Sequence, residues 1–278
     1  MRVLLALLPF LAACGSSPQT GPSPVPVPSS ITITATIADT VTGAVIGSHV
    51  QSVNSLPAQL TIAQAGYVTR QTWVSSAEPR IDLFPEAGFD LAFYRQFARG
   101  ALDGAVQPLR VLAQAPSIYL QTAGLSAANV AALEAAARAT LPALTGGRFT
   151  VMTWETGAEA RAPRAGWITI ELVNDPALNC GRATIGASTN QVWLNLADRC
   201  ERSRTSGTAF AHELGHALGF WHVTAPDGLM FATAAIGAQP SNMERHHGAL
   251  AYTRLPGNSD VDSDARTAST VQTRVVVD

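Results

Sequence analysis

The sequence predicts an α+β protein: a small N-terminal β-sandwich over residues 31–86, then a larger domain over 88–258 that joins a twisted sheet to long helices. Three observations lead there. Short alternating apolar runs punctuated by Gly and Pro fill the first stretch, as strands joined by tight turns would. At Gly88 the texture changes to longer, Ala-rich stretches with apolar residues at helical spacing. Strand-like runs then return between helices, which makes a mixed layered domain. With 278 residues, 47% apolar and only 14% charged, the chain can bury a sizeable core and is not a charged, disordered polymer.

In the first domain Ile31–Ile37 alternates cleanly, and Asp39–Gly43 supplies a turn. Ala44–Ile46, Ala58–Ile62, Thr69–Val74 and Arg80–Phe84 are further strands, separated by Gly47, Pro57, Gly66 and Pro79. His49 reads as a lone surface histidine. The run from Asp39 to Pro85 resembles the small sandwich domains related to the regulatory domain of carboxypeptidases.

In the second domain Leu91, Tyr94, Phe97 and Ala98 recur at helical spacing. Ser126 caps a helix through Val130, Leu133, Ala137 and Leu141, closed by Pro142. Phe149–Trp154, Trp167–Val173, Ala183–Ile185 and Gln191–Leu196 are strand candidates. A final helix over Ala209–Leu218 starts from a cap at Ser206 or Thr208. Residues 259–278 read as a flexible, acidic tail.

The first thirteen residues are not fold. Met1-Arg2 gives a short positive start, Val3–Leu11 an apolar run too short to span a bilayer, and Ala12-Ala13 the small residues before a cleavage site. Leu11–Cys14 resembles a bacterial lipobox, in which Cys14 is acylated and becomes the new N-terminus. The alternative is an ordinary secretory signal with a chance cysteine. Residues 14–30, with prolines at 18, 22, 24, 26 and 28, read as a stiff tether. Gly15 in place of Asp resembles lipoproteins that pass on to the outer membrane, so the expected place is the bacterial cell envelope, periplasmic or surface-exposed.

Charge and cysteines narrow the chemistry. A net charge of −2 argues against nucleic-acid binding by phosphate neutralisation. All 18 basic residues are Arg, which excludes a Schiff-base or P-loop lysine. With Cys14 lipidated, Cys180 and Cys200 remain as a pair in an oxidising compartment and read as a disulfide. Two thiolate metal ligands are the alternative, without the CxxC spacing of zinc sites.

The chemistry-bearing segment is HELGHALGFWH, residues 212–222. His212 and His216 stand four apart on one helical face and can reach a single ion. Glu213 projects beside them, placed to hold a water without being a ligand. Gly219 allows the left-handed turn that ends the helix and returns His222 to the same ion. Three imidazoles with one open position is the arrangement of catalytic rather than structural zinc. Phe210, Leu214 and Leu218 form the apolar face that pins the helix to the core.

This segment matches HExxHxxGxxH, the signature of the metzincin metallopeptidases, and about Pro116 to Asn258 resembles that family. Met230, in APDGLMFA eight residues after His222, resembles the family's methionine in a tight turn beneath the metal. GLMFA and the closing ERHHGALAYTRLPGN resemble the matrixin branch in its secreted bacterial form. Ala232 departs from the Tyr of astacin-like and serralysin-like members, and Val223 from the Ser frequent in matrixins.

The resemblance implies a zinc-dependent endopeptidase. One catalytic Zn2+ would sit on His212, His216 and His222, Glu213 would be the general base toward water, and Gly219 and Met230 would be structural beside the site. A peptide or protein substrate would lie along an edge strand, with Gln191–Leu196 or Ala183–Ile185 the candidates, and a monomer is expected. The rival reading is a lipid-anchored binding or assembly protein with an inert zinc-peptidase fold. His246-His247 read as a surface or helix-packing pair. Asp260, Asp262 and Asp264 could invite calcium, but without an EF-hand loop pattern they read as a frayed tail.

Overall fold

Two separate apolar cores organise the chain. The computed structural model describes residues 30–266 and 275–277; the signal, Cys14 and the tether up to residue 29 lie outside the described residues.

The first core belongs to the N-terminal strands. β1 (Ile31–Asp39) pairs antiparallel with β2 (Val45–Val53) and parallel with β5 (Arg80–Leu83), while β3 (Ala58–Ile62) and β4 (Arg70–Val74) make an antiparallel hairpin. Ile33, Ala35 and Ile37 of β1 share one cluster with Leu60 and Ile62 of β3, Val74 of β4, and Ile81 and Leu83 of β5. The period of two along β1 produces this: every second side chain faces the hairpin. β2 runs well beyond the expected Ala44–Ile46, because backbone pairing along β1 extends it through residues with no apolar alternation of their own.

The second core is larger. Its sheet has the order β11-β9-β10-β8-β6-β7, with β6 (Ser117–Gln121), β7 (Trp154–Gly157), β8 (Trp167–Val173), β9 (Gly181–Thr184), β10 (Asn190–Asn195) and β11 (Val276–Val277). β7, β6, β8 and β10 run parallel; β9 runs antiparallel to β10 and to β11. Ile118, Leu120, Ile168, Ile170, Val192 and Leu194 join the cluster that also takes in α2 (Ala127–Leu144) and α4 (Thr208–Ala217). α1 (Leu91–Arg99), α3 (Glu201–Thr205) and α5 (Asn242–Ala251) are the other α-helices among the described residues, and a 3-10 turn at Asp198–Cys200 leads into α3.

Several local expectations are corrected. Phe149 and Val151 pack into the core from an irregular segment, and the strand starts only at Trp154. β6 was not expected from the sequence. α2 is capped by Ser126 as expected, its hydroxyl accepting from Asn129 N–H at 3.2 Å, but runs past Pro142 to Leu144. Proline costs the helix one hydrogen bond, and Thr145 closes the end by bonding the Leu141 carbonyl at 2.8 Å. α4 begins at Thr208 from Gly207, with no side-chain cap; the hydroxyls of Ser206 and Thr208 bond each other at 2.9 Å instead. Gln191–Leu196 is not an edge strand, since β10 lies between β8 and β9.

The frayed acidic tail is also corrected, at residues 259–264. Arg254 grips Asp262 with two 2.7 Å bonds, both side chains fully buried. Arg70 of β4 pairs with Asp264 at 2.7 Å, and Arg95 of α1 with Asp260 at 2.7 Å. Arg99, fully buried, donates to the carbonyls of Asn258, Ser259 and Val261. These carboxylates already face guanidinium groups, so calcium does not fit them. The same segment ties the two cores together. Gln71 N–H of β4 bonds the Asp262 carbonyl at 2.9 Å, and Arg254 reaches the Asp82 carbonyl of β5 at 3.0 Å.

Candidate metal centre

α4 supplies the first two histidines. Phe210, Leu214 and Leu218 are fully buried, so the apolar stripe fixes the rotation of the helix and turns His212 and His216 to the opposite side. After the helix, Gly219 takes φ 101 and lies against the Arg110 carbonyl, where a Cβ would come within 2.6 Å. No other residue both adopts that backbone freely and leaves that space. The chain then turns back and brings His222 to the pair.

The three rings meet through their Nε2 atoms: His216 to His212 at 3.1 Å, and His212 to His222 at 3.3 Å. The other nitrogens decide what that contact is. His212 Nδ1 donates to the Leu229 carbonyl at 2.6 Å, and His216 Nδ1 to the Phe220 carbonyl at 2.8 Å. A carbonyl only accepts, so both hydrogens sit on Nδ1 and both Nε2 atoms carry lone pairs. His222 Nδ1 faces a carboxylate, Asp103 Oδ1, at 3.4 Å. Converging lone pairs repel one another unless a cation lies between them. Burial pushes His212 down to about 4 and His216 well below the usual imidazole range. Both are therefore neutral near pH 7, the form that ligates metal.

The donor set suits zinc. Bonds of about 2.0–2.1 Å in a tetrahedron set ligand nitrogens about 3.3 Å apart, close to the distances here. His212, His216 and His222 together could hold a metal ion.

Glu213 lies on the same helix, buried, beside a cleft of about 260 Å³ lined by Asn179, Cys180, Gly181, His212, Ala232 and Thr233 among others. Gly181 of β9 packs directly on it, and a Cβ there would overlap the Glu213 carboxylate. The Cys180–Cys200 disulfide forms as expected, with Cα atoms 5.2 Å apart. It ties the start of β9 to the turn before α3. Met230 is fully buried and its sulfur packs on Gly215 of α4, the residue before His216.

No family profile and no curated protein matches this chain. Among solved structures, high choriolytic enzyme 1, a hatching enzyme zinc-protease from Oryzias latipes (medaka fish), is similar at 14% identity. Its TM-score is 0.32, over 49% of this chain and 88% of that one.

Sequence reasoning missed three residues. Glu244 of α5, fully buried, accepts from the N–H groups of Leu229, Met230 and Ser241 at 3.0, 2.7 and 2.6 Å. Its signal was present as Ser241-x-x-Glu244, a capping box. Gly181 and Asp103 carry no motif. His246 and His247 form no metal group with the triad. His247 accepts the Asp90 N–H at 3.0 Å and donates to the Met243 carbonyl at 2.9 Å, so it is a packing residue.

Proposed function

We propose that this chain is a zinc-dependent endopeptidase, acting as a monomer and held at the bacterial envelope by lipid on Cys14. One observation carries the zinc reading: three imidazoles converge through Nε2 while Nδ1 of each faces an acceptor. Zinc bound there would supply a Lewis acid that polarises a peptide carbonyl.

The chain's own residues supply the rest. His212, His216 and His222 hold the metal. Glu213, at the wall of the cleft, takes a proton from the attacking water and hands it to the leaving amine. Gly181 keeps room for that carboxylate. β11 already covers Ala183 and Thr184 of β9. The extended peptide therefore lies along the Gly181 end, adding a strand to the sheet. The cleft is lined by Ala209, Ala232 and Ala234 beside Asn179, Ser203, Thr208 and Thr233, so its wall is made of small side chains of mixed polarity. The lipid anchor rests on the sequence around Cys14; among the described residues no helix is long and apolar enough to cross a membrane.

The deciding experiment compares wild type with Glu213→Gln at matched zinc content. The amide keeps the shape but cannot accept a proton, so kcat should fall by at least about a hundredfold. Equal turnover would refute the assignment. Zinc binding without cleavage of any peptide by wild type would favour the inert binding protein.

A further inference from the structure

We propose that Asp103 is a positioning residue for the metal: its carboxylate accepts the Nδ1 hydrogen of His222 and so aims the third Nε2 at the ion. The proposal rests on reading the histidine triad as a zinc site. His212 and His216 are oriented by main-chain carbonyls close to them in the fold. His222 differs. Among the described residues, the acceptor facing its Nδ1 is a side chain 119 positions earlier.

His222 also has most need of such help. It lies beyond the end of α4, in a segment with no helical ladder to hold it. α1 and the turn after it supply the hold. Trp221 N–H donates to the Phe97 carbonyl at 2.7 Å. Thr224 donates through both its N–H and its hydroxyl to Gln96 Oε1 at 3.1 Å. Asp103 itself is fixed by a closed turn, its N–H on the Gly100 carbonyl at 3.1 Å, with Gln107 N–H returning to the Arg99 carbonyl at 2.8 Å. Residues flanking His222 on both sides thus hang from α1, and the ring between them faces Asp103. A carboxylate behind a ligating histidine fixes its tautomer and orientation, and losing one typically weakens metal binding about 10- to 100-fold.

The test measures zinc affinity of the full chain by competition with a chromophoric chelator, for wild type, Asp103→Ala and Asp103→Asn. Asp103→Ala should bind zinc about 10- to 100-fold more weakly, with the melting temperature of the metal-free protein unchanged. Asp103→Asn keeps an acceptor oxygen and should recover most of the loss. In the zinc-loaded protein a slowly exchanging Nδ1 proton on His222 should be visible by NMR, and absent in Asp103→Ala. Wild-type affinity in Asp103→Ala overturns the proposal, and so does an equal loss in Asp103→Asn. If wild type itself binds no zinc, the reading of the triad fails and this proposal with it. If Asp103→Ala does not fold, the Asp103→Asn affinity and the His222 proton in wild type decide the matter.

Discussion

His212 is held by Leu229, whose carbonyl takes its Nδ1 hydrogen at 2.6 Å. Leu229 is in turn held by Glu244, which accepts its N–H at 3.0 Å and that of Met230 at 2.7 Å. A buried carboxylate on α5 therefore sets a ring of the histidine triad without touching it. Removing it leaves buried N–H groups without acceptors, at about 1–3 kcal/mol each. Glu244→Ala should destabilise the fold by at least about 3 kcal/mol in chemical denaturation and weaken zinc binding. A loss below about 1 kcal/mol with full affinity would show that Leu229 is held by other contacts.

Gly181 gives a test of the role proposed for Glu213 that leaves that carboxylate itself in place. A methyl group there must push the carboxylate aside. Displacements of about 1 Å can cost about a hundredfold in rate. Gly181→Ala should keep its zinc and lose activity on that scale. Undiminished kcat at full zinc content would mean that Glu213 does not act from the position seen here.

Cys180 and Cys200 close a loop with a sequence separation of 20. The mature protein should show neither of them as a free thiol under denaturing, non-reducing conditions. Replacing both with Ser should cost about 3 kcal/mol on the chain-entropy account. Two titratable thiols at these positions would contradict the bridge.

Acid should loosen the joint between the two cores. Burial alone would raise Asp264, but the charge of Arg70 and hydrogen bonds from Asn258, Arg70 and Thr72 outweigh it and hold the carboxyl below its usual range. The folded group therefore releases its proton more readily than an unfolded one, whose value is about 3.9. Its stabilisation is complete above that pH and is lost as pH falls through the folded value. The stability difference between wild type and Asp264→Asn should be constant from pH 7 to about 5 and shrink below about 4. Denaturation series that stay parallel down to pH 2 would argue against this.

The legibility of the sequence followed the range of the interactions. His212, Glu213, His216, Gly219 and His222 lie within one helix and its exit, so local spacing alone brought them together. β1 and β8 were legible because their own apolar patterns specify a face. Asp103 and His222 are 119 positions apart, and no spacing rule reaches that far. The aspartates after Asn258 read as frayed because their arginines, at positions 70, 95 and 254, are distant or themselves unremarkable in sequence. β10 lost its expected edge position for the same reason: its neighbours are set by topology, not by its own residues.

Arg254, wedged between Asp262 and the ring of Phe84 with a hand on the Asp82 carbonyl, has a mechanical consequence. Its contacts give the two halves a tie that does not run along the backbone between them. A load applied at residue 30 and carried by β1 and β5 therefore has a second route into the larger core, through one guanidinium group as well as through the chain that follows Leu83.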